Sequence, residues 1–249
     1  MKKIVCTGVL ALAGVAAMYA TDLKTGEAVM DKYVEVTGGA PAYAKIHNMI
    51  MKGSMAMTAM GIKGEVTMYS AEPNKAALMT ELAGVGKVTE GTDGVNAWTF
   101  SAMQGPQLKK GEELADSLRE AFFHKENEWR SIYKSAELSG VEDVEGKPAY
   151  KVVLTPKDGK PETQYYDQSS GYLVRQQSVR KTAFGDIPVD VTIGAYSKAC
   201  GAILVPHSMT QSVAGQKIDF QIDSIECNGQ LPADAFQPPS EVKALINKQ

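Results

Sequence analysis

The sequence has few of the residues on which catalysis, metal binding or nucleic-acid binding usually depends. Its 249 residues include three histidines and three cysteines, and 26 basic residues are outnumbered by 29 acidic ones. An acidic balance lacks the basic face that a nucleic-acid-binding domain is expected to show. No HExxH, CxxC, GxSxG or phosphate-loop pattern occurs. We therefore expect no enzymatic activity, no cofactor and no nucleic-acid partner.

The few titratable candidates are scattered along the chain. His47, His124 and His207 fall on different predicted elements, and each is expected to lie at the surface or to be hydrogen-bonded. The carboxylate pairs Glu112-Glu113 and Glu142-Asp143 are typical of solvated charges on a helix or a turn. Since no nucleophile, base and orienting group come together, the sequence predicts neither a catalytic residue nor a metal site.

Long apolar runs are also missing, except at the start of the chain. Lys2 and Lys3 precede the uncharged stretch 4–17, and the pairs Val15/Ala17 and Met18/Ala20, each ending in alanine, offer cleavage sites. The run is shorter than the ~20 residues of a membrane span, although an uncleaved anchor is the alternative. We predict a cleavable signal peptide over 1–20, and one exported periplasmic domain over 21–249 without a transmembrane segment.

The exported domain keeps two cysteines and a net charge of −5, because 24 basic residues remain against 29 acidic ones. Cys200 falls in a predicted turn, and Cys227 falls near the end of the next strand but one. An oxidising compartment permits a disulfide between them. A Cys200–Cys227 disulfide and two free thiols both remain open.

Two segments have a helical period. Glu27–Val36 is amphipathic, with Thr25 placed to cap its start and Gly38-Gly39 placed to end it. Farther along, Leu114, Leu118 and Phe122 recur every four residues, and Trp129, Ile132 and Tyr133 form a second stripe. The second region predicts a pair of helices that covers one face of a sheet.

The rest of the chain alternates with a period of two. Four methionines, Met49, Met51, Met55 and Met57, occupy odd positions and so share one face of a strand. Near the other end, Ile218, Phe220 and Ile222 alternate with polar residues in the same way. Regular turn signals separate such segments, which is typical of an antiparallel meander. The predicted fold class is α+β, with a strongly curved antiparallel sheet and helices closing its concave side.

Several short motifs resemble those of the LolA/LolB-like superfamily, and in particular its outer membrane lipoprotein-sorting protein relatives. The motifs are Val152–Lys157, Tyr165–Asp167, Gly171–Val174 and Leu231–Pro239, in the order helix, strands, helical insert and meander. The resemblance covers nearly the whole exported domain. It implies an unclosed β-barrel, helices that act as a lid, and an apolar cavity that takes acyl chains.

The methionine stripe has three interpretations. The side chains fill the core between sheet and helices, or line a cavity whose shape adapts to acyl chains, or bind Cu(I) together with His47. Side chains on one strand face lie ~7 Å apart, which is far for ligands of one ion. The residues predicted to line a cavity are Met49, Met51, Met55, Met57, Val66, Met68, Leu78, Trp98, Phe122, Trp129 and Phe220.

The function predicted on these grounds is a periplasmic carrier or binding protein for lipid or acylated protein, held in an apolar cavity between sheet and helices. The first alternative is an envelope protein-interaction or sensor module on the same fold. Copper binding is the third interpretation.

Overall fold

Alternating apolar and polar residues produce one long antiparallel sheet. The computed structural model describes residues 22–182 and 185–248, so the predicted signal peptide lies outside the described residues. Thirteen strands of the described part pair in the order β6-β5-β4-β3-β2-β1-β13-β12-β11-β10-β9-β8-β7. Two meanders, β1 to β6 and β7 to β13, are joined where β1 pairs with β13.

The strands are β1 (Asn48–Met57), β2 (Ile62–Ala71), β3 (Lys75–Leu82), β4 (Gly86–Thr92), β5 (Ala97–Ser101), β6 (Gly105–Leu108), β7 (Tyr133–Val144), β8 (Lys147–Pro156), β9 (Glu162–Asp167), β10 (Leu173–Thr182), β11 (Gly185–Ala199), β12 (Ile203–Val213) and β13 (Gln216–Cys227). Tight turns connect most of them. At the β7–β8 hairpin, for example, Glu145 and Gly146 both have positive φ, as a two-residue primed turn requires.

The helices are α1 (Gly26–Val36), α2 (Ala40–Tyr43), α3 (Gly111–Glu120), α4 (Trp129–Ile132) and α5 (Ser240–Ile246). The predicted start of α1 is confirmed, since Thr25 Oγ1 accepts a hydrogen bond from the Ala28 N–H at 3.1 Å. Gly38 and Gly39 follow the helix with positive φ, as the predicted glycine stop requires.

The predicted second helix of the insert is wrong in its extent. α4 is a single turn, and Tyr133 already begins β7 by pairing with Pro156 of β8. The Lys157 N–H donates to the Ile132 carbonyl at 2.9 Å, so the β7–β8 ladder takes over the backbone groups that would extend the helix. Tertiary strand pairing therefore overrides the local helical stripe.

The sheet is strongly curved and does not close into a barrel, as predicted. Helix α3 contacts both β5 and β10, although seven other strands separate these two in the sheet order. A ten-residue helix is only about 15 Å long. It reaches both strands because the sheet curls around the space beneath it. We call the face that carries α1 and α3 the inner face.

A bulge in β13 keeps one set of residues on the inner face. Lys52 of β1 pairs with Ser224, but the next residue, Gly53, pairs with Ile222, so Asp223 is skipped. Without this extra residue, the apolar side chains on its two sides would point to opposite faces. With it, Ile222 and Ile225 share the inner face.

Two clusters of buried residues lie on the inner face. The larger lies beneath α1, where Val29 and Tyr33 of the helix pack with Trp129 and with Val152 and Leu154 of β8. The smaller contains Ile46, Ala199 and Ile203, close to the ends of β11 and β13. Among the described residues, no helix is long and apolar enough to span a membrane.

Candidate ligand-binding trough

A band of apolar side chains crosses the inner face from β3 to β11, outside these two clusters. The strand register sets the band, since Met55 of β1 lies opposite Phe220, Phe220 opposite Met209, and Met209 opposite Ile193. We call this surface the trough and define it by Leu78, Val66, Met68, Met51, Met55, Met57, Ile218, Phe220, Met209, Val191 and Ile193.

The trough is incompletely covered. Met55 and Val66 are buried, whereas the other nine trough residues are only half-buried. The five at its centre, Met51, Met57, Met68, Met209 and Phe220, lie outside the clusters of buried side chains found in the described residues. Accessible methionine and aromatic side chains can adapt to alkyl chains of different shape. The surface is therefore suited to an apolar ligand.

Helix α3 contacts β5 and β10, the strands that flank those carrying the trough, and we call this helix the roof. On the side of β4, Lys109 pairs with Glu90 and donates to Ser117 Oγ of α3 at 3.1 Å. Burial raises the pKa of Glu90, but the charge and hydrogen bond of Lys109 outweigh this effect, so the pKa lies below its usual value. The carboxylate is therefore ionised, and the contact is a charge-assisted link between sheet and roof.

The contacts on the other side of α3 are polar and more exposed. Arg119 donates to the Asp158 carbonyl at 3.0 Å, and Lys181 pairs with Glu112 at 3.3 Å. Exposed ion pairs stabilise by only about 0–1 kcal/mol. Since all ten residues of α3 are exposed or half-buried, the roof is held by few strong contacts.

One further attachment follows α3 in the chain. The carboxylate of Glu72 bridges His47 Nδ1 at 2.9 Å and His124 Nε2 at 2.5 Å. The hydrogen bond with His124, and next that with His47, lowers the pKa of Glu72. The Phe123 N–H also donates to the Pro73 carbonyl at 3.0 Å. The segment after the roof is thus fixed to the β2–β3 turn.

Most of the predicted lining residues meet on the inner face, and four need separate comment. Met49 shares this face but packs against the cluster around Ile46. Trp129 fills the core beneath α1, where it is 3% exposed. Phe122 is half-buried just after α3, and its N–H donates to the Arg119 carbonyl.

The prediction that Trp98 lines the same surface is wrong. Trp98 pairs with Gly91, which pairs with Ala77, and this row continues through Tyr69 to Ile50 on the outer face. Its ring lies against Gly91, where an added Cβ would come within 3.1 Å of it. The alternation within the strand was visible in the sequence, but the face that it buries depends on the register.

The wall beside the trough carries polar residues that sequence reasoning missed. On the inner face of β9, Glu162 Oε1 accepts hydrogen bonds from the Tyr133 hydroxyl at 2.5 Å and from Gln164 Nε2 at 2.9 Å. Gln176 of β10 lies opposite Gln164. Strand glutamines are ordinarily solvent-facing, so no sequence pattern indicated this group.

Cys200 and Cys227 form a disulfide in the structure, with their Cα atoms 5.6 Å apart. The bridge connects the end of β11 to the end of β13. A cleft of about 520 Å³ opens beside it and is lined in part by Pro41, Lys45 and Ile225. This cleft is polar in part and lies next to the smaller buried cluster.

Similar architectures occur among solved structures. A DUF1329 family protein from Desulfovibrio piger matches with 14% identity and a TM-score of 0.59, covering 86% of this chain and 98% of that one. A LolA superfamily protein from Nitrosomonas europaea matches with 13% identity and a TM-score of 0.56, covering 87% and 99%. The chain has a LolA-like fold.

A third LolA-like structure, a domain from Vibrio parahaemolyticus named for outer membrane lipoprotein sorting, matches with 11% identity and a TM-score of 0.54. It covers 84% of this chain and 97% of its own. No protein-family model and no curated protein matches the sequence significantly. At these identities the likeness shows the fold alone.

Proposed function

We propose that the protein is a carrier that binds acyl chains of lipids or acylated proteins in the trough beneath α3. The observation that supports this most is the half-buried apolar band under a helix with no fully buried residue. Covering such a band with an alkyl chain removes apolar surface from water, and binding is therefore favourable. The names of two LolA-like neighbours, which refer to lipoprotein sorting and to the LolA superfamily, agree with such a role.

The driving force is the burial of alkyl groups. Each buried methylene contributes about 0.8 kcal/mol. A sixteen-carbon chain would contribute on the order of 10 kcal/mol before the costs of ordering the chain and the roof are subtracted. Loading and release then follow from movement of α3, whose contacts are mainly polar and close to solvent. The predicted signal peptide supports a periplasmic location for this carrier.

A steric substitution tests the proposal. Val191 is half-buried in the trough, whereas Val179 of the adjacent strand is 37% exposed on the outer face. We expect Val191→Trp to fill the trough and to weaken binding of a fluorescent fatty acid at least tenfold. Val179→Trp, the matched control, should bind as the wild type does. Fluorescence titration and native mass spectrometry of the purified proteins provide the measurements.

Three results would contradict the proposal. They are purified protein that contains no extractable lipid and takes up no fatty acid, binding that Val191→Trp leaves unchanged, and recovery with one stoichiometric protein partner in place of lipid. The last of these would favour a protein-interaction module on the same fold.

A further inference from the structure

We infer that the polar end of the ligand binds at Glu162 and that this end carries an ammonium group. The inference rests on the proposed function, because it assigns the head group of the same ligand whose acyl chain occupies the trough. It is carried by the position of one carboxylate on the inner face, by its incomplete set of partners and by the surface that connects it to the trough.

The two oxygens of the Glu162 carboxylate are satisfied unequally. Oε1 accepts from Tyr133 and Gln164 at 2.5 and 2.9 Å. Among the described residues, the one donor to Oε2 is Gln176 Nε2 at 3.4 Å, which is longer than an ordinary N–H···O hydrogen bond. A carboxylate has about four acceptor positions. Oε2 is therefore the oxygen that is open to a further donor.

Within residues 22–182 and 185–248, no basic side chain forms an ion pair with Glu162. Lys125 and, to a smaller extent, Arg119 act on the carboxylate only from a distance. Arg119 is already engaged by Asp116 at 2.7 Å and by Asp158. Burial raises the pKa of Glu162 despite the bond from Tyr133. A half-buried carboxylate without a paired cation is costly, and a bound cation would reduce that cost.

The position of Glu162 suits the head of a ligand whose tail lies in the trough. Its neighbour Gln164 lies opposite Gln176, and Gln176 lies opposite Val191 of the trough. Neighbouring strands are ~4.8 Å apart, so β9 is about 10 Å from β11 along the sheet. The polar wall thus continues directly into the apolar one, and an amphiphile can contact both.

Two lysolipids with matched acyl chains test this assignment. Lysophosphatidylethanolamine and lysophosphatidylglycerol with the same acyl chain differ in that only the first carries an ammonium group. We expect the wild type to bind the ethanolamine lipid about tenfold more tightly in calorimetry or in displacement of a fluorescent fatty acid. Glu162→Gln should reduce this preference to less than twofold without weakening the glycerol lipid. Glu137→Gln, an exposed control on β7, should keep it.

A pair of diacylated cysteine peptides, one with a free and one with an acetylated amino terminus, distinguishes the sources of the ammonium. Preference for the free amine identifies an acylated protein, and preference for the ethanolamine lipid identifies a phospholipid. Equal wild-type affinities within both pairs would overturn the inference but leave acyl binding intact. Failure to bind any of the four probes would overturn the proposed function as well. The wild-type affinities within each pair of probes test the inference even if the Glu162→Gln variant does not fold.

Discussion

The inner face of the sheet has two ends that are covered by helices of similar length but in different ways. α1, of eleven residues, buries Val29, Met30 and Tyr33 against β7 and β8. α3, of ten residues, has no fully buried residue, and polar contacts attach it: Ser117 accepts from Lys109, Arg119 donates to Asp158, and Glu112 pairs with Lys181. An amphipathic helix can therefore be part of a core or only a roof, and the packing beneath it decides which.

The difference arises from the side chains that the sheet presents. Beneath α1, aromatic rings fill the space, and Tyr33 meets Tyr166 edge to face with ring centroids 5.4 Å apart. Trp129 adds a hydrogen bond to Asp31 of α1 at 3.2 Å. Beneath α3, flexible methionines such as Met51 and Met68 keep part of their surface accessible. One end is therefore built for stability, and the other leaves room for a ligand.

The largest effect expected from this comparison is on stability at the α1 end. Trp129→Ala should lower the free energy of unfolding by about 3–5 kcal/mol, because it empties a fully packed site. Phe220→Ala, in the trough, should cost about 1 kcal/mol, since its side chain is only half-buried. Denaturant unfolding of the two variants measures both. Equal losses of unfolding free energy in the two variants would contradict the difference between the two ends, because the trough would then be an ordinary core.

Much of this organisation was predictable from short-range patterns. The start of α1 followed from Thr25, and the shared face of Met51, Met55 and Met57 followed from their odd spacing. The face of Trp98 did not, because it depends on pairing with Gly91 across a hairpin. Helix α5, which packs along β6, was likewise missed, since its seven residues carry too little periodic signal.

The second prediction concerns the disulfide and its effect on stability. Cys200 and Cys227 close a loop with a sequence separation of 27. In the chain-entropy treatment, a bridge of this loop length stabilises the fold by about 3.5 kcal/mol. Replacing both cysteines by alanine should lower the free energy of unfolding by that order. Thiol titration of the unfolded wild type checks the bridge, and two reactive thiols without a reductant would contradict it.

The polar part of the site could not be predicted from the sequence. Glu162 and Gln164 have the spacing of any strand, and nothing near them indicates that their common face is covered by helices. Their role depends on Tyr133, which is about thirty positions away and was assigned to a helix from its stripe. Long-range pairing of β7 with β8 and of β8 with β9 brings these groups together, and local patterns carry no information on such pairing.

The smallest effect expected, and the most specific one, concerns the pH dependence of stability. Burial raises the pKa of Glu162 in the folded protein above the ordinary value, so the folded state holds a proton that the unfolded state has already released. The free energy of unfolding therefore falls as the pH rises from about 4.5 through the folded pKa. Glu162→Gln should remove this slope and stabilise the ligand-free protein at neutral pH.

A control of opposite sign sharpens this last measurement. The hydrogen bond from Lys151 lowers the pKa of the exposed Glu142, so any stabilisation from Glu142 is present above the ordinary carboxyl pKa and lost as the pH falls. Glu142→Gln should thus weaken the pH dependence of the free energy of unfolding below the ordinary carboxyl pKa. The dependence at higher pH should stay unchanged. Unfolding curves between pH 4 and pH 8 for both variants separate the two contributions. A Glu162→Gln profile identical to that of the wild type would mean that Glu162 is solvated, and the roofed end would then differ from the core in packing alone.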